Sequence, residues 1–130
     1  MAEMSDYLEN AILNATLNAT NYTAPAAPYV SLHTADPTDA GTGAELSGNA
    51  YTRQSASFAT ASGTGGSVST DADITFSAAT ADWGTVSHIG VWDASTGGNL
   101  LYHTALDSSK TIDTGDIFKI TSGNLTVTLA

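Results

Sequence analysis

The sequence predicts an all-β fold: an antiparallel β-sandwich or jelly-roll-like domain of about eight short strands with one N-terminal α-helix. Three observations predict it. From Tyr29 onward apolar and polar residues alternate with a period of two, as in half-buried strands. Turn signals built from Gly, Asn, Asp and Ser recur about every ten residues, the spacing of sandwiches and barrels. No helical stretch lies between the strands, so the crossovers that parallel pairing needs are missing. With 130 residues, 42% of them hydrophobic, the chain can close one core and is read as a single domain over residues 1–130.

The helix is expected over residues 5–20. Ser5 is a capping residue, and Asp6 suits the positive end of the helix dipole. Leu8, Ala11, Ile12, Ala15 and Ala19 recur at helical spacing, and Asp6, Asn10, Asn14 and Asn18 form a polar stripe. Pro25 and Pro28 prevent continuation. The apolar stripe suits packing on the parent core; the alternative is an arm docked on a neighbouring subunit.

Val30 and Leu32 then alternate with Tyr29, Ser31 and His33, giving a strand. Residues 34–50 carry Pro, Asp and Gly throughout and are expected to form a long surface loop. A weaker strand is expected from Tyr51 to Phe58, a turn and edge over 59–71, and a short strand at Ile74 and Phe76. From Val86 to Asp93 the pattern puts Ile89 and Val91 on one face and Val86 and Trp92 on the other. Ser95, Thr96, Gly97 and Gly98 signal a hairpin, with Leu100 to Leu106 as the returning strand. Further strands are expected at Ile117–Ile120 and at Leu125, Val127 and Leu129, separated by the turn at Ser122, Gly123 and Asn124.

Charge excludes several functions. Lys and Arg number 3 against 13 Asp and Glu, for a net charge of -10. Nucleic-acid binding needs clustered bases, and Arg53, Lys110 and Lys119 are all there are. An anionic membrane surface would repel the chain, and no apolar run reaches the ~20 residues of a bilayer span. Neither nucleic acid nor membrane is therefore an expected partner. The opening residues have acids where a secretory signal needs bases, so synthesis in the cytoplasm is expected. Cysteine is absent, which excludes disulfides and thiolate metal sites.

The groups that could carry chemistry are sparse. His33, His88 and His103 all fall in expected strands, and His88 and His103 flank the hairpin and could face each other. A metal there would need a third ligand from Asp or Glu, and the sequence spacing supplies none. The pairs Asp36/Asp39, Asp71/Asp73 and Asp113/Asp116 match no calcium loop and suit turns, where Asp bonds nearby backbone NH groups. No nucleophile elbow or phosphate loop is present. No catalytic residue, cofactor or metal is expected, and the chain is read as no enzyme. Trp92 suits the core, whereas Trp83 begins a strand and is either core or an exposed platform. Four Asn-x-Thr sequons begin at Asn14, Asn18, Asn21 and Asn124 and are attributed to composition.

Two segments together resemble a known family. One runs Tyr29-Val-Ser-Leu-His-Thr-Ala-Asp-Pro37 and on through Gly41 to Gly48 and Ala50 to Gln54. The other runs Ala81-Asp-Trp-Gly-Thr-Val-Ser-His-Ile-Gly-Val-Trp-Asp93 and on through Gly97 to Leu106. With Ser5 to Leu13, they resemble small virion structural proteins of tailed bacteriophages, often labelled tail fibre proteins, relatives of which serve as capsid decoration (cement) proteins. The resemblance implies a non-enzymatic virion part, made in the host cytoplasm, whose partners are the major capsid protein or other virion proteins and which forms a homo-oligomer on the particle. Decoration of the capsid shell is the leading expectation, because the chain is small and lacks a fibrous repeat. A tail fibre, adaptor or tail-tip module is the alternative. From another class, a carbohydrate-binding module would use Trp83. Candidate contact residues are Leu8 and Ile12 on the helix, Asp36, Pro37, Asp39 and Glu45 on the loop, and Arg53 and Trp83 beside them. For Arg53 an intramolecular pair with a nearby acid competes with that role.

Overall fold

The computed structural model of the chain describes residues 2–129. Strand β1 (Glu3–Met4) leads through Ser5 into helix α1 (Asp6–Leu17). Ser5 is the N-cap: its Oγ accepts from the Leu8 N–H at 3.2 Å and donates to the Leu100 carbonyl. One buried hydroxyl thus starts the helix and ties it to the sheet. The helix ends at Leu17, short of the expected residue 20. Asn18 Nδ2 bonds back to Asn14 Oδ1 at 3.1 Å, and Ala19 leaves helical space at φ +52°. Only Leu8 of the expected apolar stripe is buried; Ala11 and Ile12 are half-buried, and Ala15 and Ala19 are exposed. The helix therefore packs on its own domain through its first two turns.

The main sheet is formed by β1, β2 (Tyr29–His33), β3 (Gln54–Ser55), β6 (Gly84–Trp92) and β7 (Leu100–Ile112). Its order is β1-β7-β6-β2-β3, antiparallel throughout. Two ribbons, β4 (Ser67–Ser69) with β9 (Thr126–Thr128) and β5 (Ile74–Thr75) with β8 (Lys119–Ile120), complete the β structure. Val30 and Leu32 from the sheet meet Ile74, Phe76, Phe118 and Ile120 in one apolar cluster. Phe76 is buried completely, with the Phe118 ring edge-on at 5.7 Å; such a side chain contributes about 1.5–3 kcal/mol by burial. The all-β, sandwich-like architecture matches the sequence pattern.

Three details differ from the pattern. Val86 shares the face of Ile89 and Val91 rather than that of Trp92, because the β6–β7 register shifts between Val86 and His88. From Val86 to His88 β6 advances two residues while β7 advances five, from Lys110 to Ala105, so regular alternation is broken there. The expected strand from Tyr51 to Phe58 contracts to Gln54–Ser55, with a single bridge from Phe58 to Thr70. Asn49 and Ala50 enter it at positive φ, and Tyr51 turns its ring into the core, stacked on Phe76 at 6.2 Å. β7 in turn runs past Leu106 to Ile112, through a polar stretch whose composition hides its pairing with Gly84, Thr85 and Val86.

Loop 34–50 is also less peripheral than expected. Residues 44–46 pair along the edge of β2, bridging His33 to Glu45 and returning the Leu46 N–H to the Leu32 carbonyl at 3.0 Å, while Gly43 sits on the His33 ring at the second face. Pro37 is fully buried and Leu46 packs against the core. A Cβ on Gly43 would sit 2.3 Å from the Asp36 carbonyl oxygen, so only glycine allows this closure.

Candidate functional site

The polar chemistry concentrates on the second face of the main sheet, under loop 34–50. Arg53 is its best-connected group. Its Nε and Nη2 each donate at 2.8 Å to the two oxygens of Glu45, a bidentate fork. Its Nη1 donates to the carbonyls of Ala94 and Gly97 at 3.0 and 2.9 Å, and the guanidinium lies 3.9 Å from the Trp92 ring centroid. Tyr51 Oη donates to Glu45 at 2.7 Å and accepts from the Leu32 N–H at 3.1 Å. Burial alone would raise the Glu45 pKa, but the bonds from Arg53 and Tyr51 outweigh it and hold the carboxyl below its usual range. Burial, with the Glu45 carboxylate beside it, pushes the Tyr51 hydroxyl up. The arrangement joins loop 34–50, the 93–99 hairpin and β3, with the donors of Arg53 spent on the chain itself. This is the intramolecular pair weighed for Arg53.

A second polar run lies beside it. Trp92 Nε1 donates to Ser31 Oγ at 2.7 Å, Ser31 Oγ lies 2.7 Å from His33 Nε2, and His33 Nδ1 lies 2.5 Å from the Gly43 carbonyl. The carbonyl can only accept, so Nδ1 carries the proton and Nε2 accepts from Ser31. Burial lowers the His33 pKa, which suits a neutral imidazole.

The third constellation surrounds His103. The register sets His103 opposite Gly90 and His88 opposite Ala105, so the two histidines that could have faced each other do not. His103 instead meets acids from elsewhere. Its Nε2 lies 2.8 Å from Asp39 Oδ1 and 3.8 Å from Glu3 Oε2, and its Nδ1 lies 3.3 Å from Asp36 Oδ1. Among the described residues, Glu3, Asp39 and His103 are the group that could hold a metal ion. Sequence spacing missed it because the three side chains come from β1, loop 34–50 and β7.

The remaining candidates separate cleanly. Leu8 and Pro37 are buried in the chain's own packing, and Ile12 is half-buried. Trp83 is also buried, its Nε1 donating to the Asn49 carbonyl at 2.9 Å and its ring edge-on to Tyr51 at 5.7 Å. That leaves no open indole face for a sugar, which corrects the platform reading of Trp83; Trp92 is core, as expected. Asp36, Asp39 and Glu45 are gathered on the second face as described. The Asp turn reading holds for Asp36, which accepts from the Thr38 N–H at 2.8 Å, and for Asp116, which accepts from the Asp113 N–H at 2.9 Å; Asp73 instead accepts from the distant Ser122 N–H at 2.8 Å, tying two segments together.

The sequence matches the family described as Podophage GP4 fiber I protein gp80 over residues 3–128. The chain belongs to this phage fibre protein family. No curated protein matches it. Membership makes it a structural component of the phage particle, and its partners are other virion components. No helix among the described residues is long and apolar enough to cross a membrane.

For a fibre-family protein the outward features matter most. Tyr7, Leu13 and Leu17 are exposed on α1. β1 pairs only with Tyr102 and His103, so the outer edge of β7 from Ala105 to Ile112 has no strand partner among the described residues. Beside that edge lies an open groove lined by Leu106, Ile112, Ile117, Phe118 and Leu125.

Proposed function

We propose that this protein is a single-domain, non-enzymatic module of the phage tail fibre apparatus, which works by fitting against neighbouring virion proteins. The observation that carries this reading is the fibre-family match across residues 3–128. The geometry supports it: Arg53, His33 and Tyr51 are consumed in internal bonds, while α1 and the β7 edge present unpaired surface. Neighbours, including further copies of the chain, meet the Leu13–Leu17 face of α1 and the groove beside β7. Many identical small contacts on a symmetric particle add through avidity. Capsid decoration by binding the outer surface of the major capsid protein shell is the second reading, favoured by the compact form without a fibrous repeat. Immunogold labelling and copy number on purified particles decide between them. Label at the tail with a few copies per particle is expected; label over the whole shell with hundreds of copies overturns the tail assignment.

A further inference from the structure

We propose that Glu3, Asp39 and His103 bind one divalent transition ion of the zinc and manganese class, which pins the N-terminal arm and loop 34–50 to β7. The donors are one imidazole nitrogen and two carboxylate oxygens, a set suited to these metals. One ligand atom from each residue lies within 4.8 Å of the other two. Four ligands at zinc bonding distance stand about 3.4 Å from one another. The separations from His103 Nε2, 2.8 Å to Asp39 and 3.8 Å to Glu3, bracket that value.

The orientation of His103 supports the same conclusion. The ring is 4% exposed, and Asp36 faces Nδ1 from the side opposite the candidate ligands. Without an ion, Nε2 donates to Asp39 Oδ1 at 2.8 Å; an ion that takes the Nε2 lone pair displaces this proton, and Asp36, 3.3 Å from Nδ1, then favours the tautomer protonated at Nδ1. This is the carboxylate–histidine–metal arrangement in which the outer carboxylate fixes the tautomer. Charge points the same way. Three carboxylates surround one imidazole, so even the imidazolium leaves an excess of two negative charges. Arg53 and Lys119 are engaged with Glu45 and Asp73 and supply nothing here. A dication at Nε2 neutralises that excess.

The backbone already brings the ligands together. Glu3 stands opposite His103 in the β1–β7 register, and the Asp6 N–H donates to the Asp39 carbonyl at 3.1 Å. An ion at this point cross-links three segments distant in the chain, so its binding free energy adds to folding.

Isothermal titration of EDTA-treated, dialysed full-length protein with ZnCl2, MnCl2 and CaCl2 tests the proposal, alongside the visible absorption of the Co2+-loaded protein. One Zn2+ per chain is expected, with a melting temperature that rises with Zn2+ concentration. Glu3→Gln removes an exposed ligand and should weaken binding at least tenfold. Asp36→Asn keeps the turn acceptor for Thr38 but loses its charge at Nδ1, and should weaken binding roughly tenfold. His103→Gln should abolish the Co2+ bands, and His88→Gln should change nothing. Absence of binding by any of the three ions overturns the proposal, as does Zn2+ affinity that is unchanged in both Glu3→Gln and Asp36→Asn. Should His103→Gln fail to fold, those two surface variants decide alone.

Discussion

Replacing Arg53 with alanine tests whether the second face is held by the fork to Glu45. The substitution removes two bonds to Glu45, two to backbone carbonyls and the stack on Trp92. It leaves a carboxylate whose side chain is only 25% exposed, with Tyr51 as its remaining donor. Breaking a buried pair from one side costs about 3–5 kcal/mol. The partial exposure of Glu45 places this case near the lower limit, about 3 kcal/mol. For a chain of this length that corresponds to a fall of roughly 10 °C in melting temperature. Arg53→Lys keeps the charge but cannot span both Glu45 oxygens and both carbonyls, so it should recover less than half of the loss. Urea denaturation at neutral pH, followed by tryptophan fluorescence, measures all variants. In a double-mutant cycle with Glu45→Ala, the double variant should be more stable than the summed single losses imply, by about 1–3 kcal/mol. A loss below about 1 kcal/mol for Arg53→Ala, or strict additivity, refutes the reasoning.

Two further outcomes follow from the buried side chains. His33 is held neutral by burial, so its folded pKa lies below the ordinary 6.5 and the unfolded chain binds more protons in acid. Its contribution to stability is complete above pH 6.5 and is lost as pH falls through the folded pKa; an NMR titration midpoint for His33 at or above 6.5 contradicts this. Trp83→Ala opens a cavity under Tyr51 and leaves the Asn49 carbonyl with the Thr80 N–H as its remaining donor, and should cost about 3–5 kcal/mol in chemical denaturation; a loss below 1 kcal/mol would show that the indole is not core.

How much of this was legible in the sequence depends on the range of the interactions involved. The all-β class, the Ser5 cap and strand β2 rest on local periodicity and capping chemistry, which a single sequence carries. The Val86 face was misjudged because the bulge that flips it is a property of the β6–β7 pairing, not of either strand. The second half of β7 is not legible because Asp107 to Thr111 show no alternation; Lys110 to Ile112 are extended through their pairing with Gly84 to Val86, which composition does not encode. Loop 34–50 looked peripheral because its Gly, Pro and Asp content resembles a solvent loop. Its closure over β2 depends on the Gly43 approach to Asp36 and on the Arg53–Glu45 fork. The surroundings of His103 are not legible for the same reason: it finds its partners through β1 and loop 34–50, whose meeting no spacing encodes.

The division between the two faces of the main sheet bears on how a small virion part withstands its environment. One face builds an ordinary apolar core with Phe76 and Phe118, to which loop 34–50 adds Leu46. The other face is covered by a loop with little apolar area, so its cover depends on directional bonds: the Arg53 fork, the His33–Gly43 contact and the acids at His103. Directional bonds to backbone carbonyls and buried rings fix one loop conformation, whereas a greasy patch of equal area tolerates several. A part that docks by shape needs that single conformation more than it needs extra stability. The three basic residues of the sequence can therefore be few: Arg53, buried beneath the loop, sets a surface that its own charge never reaches.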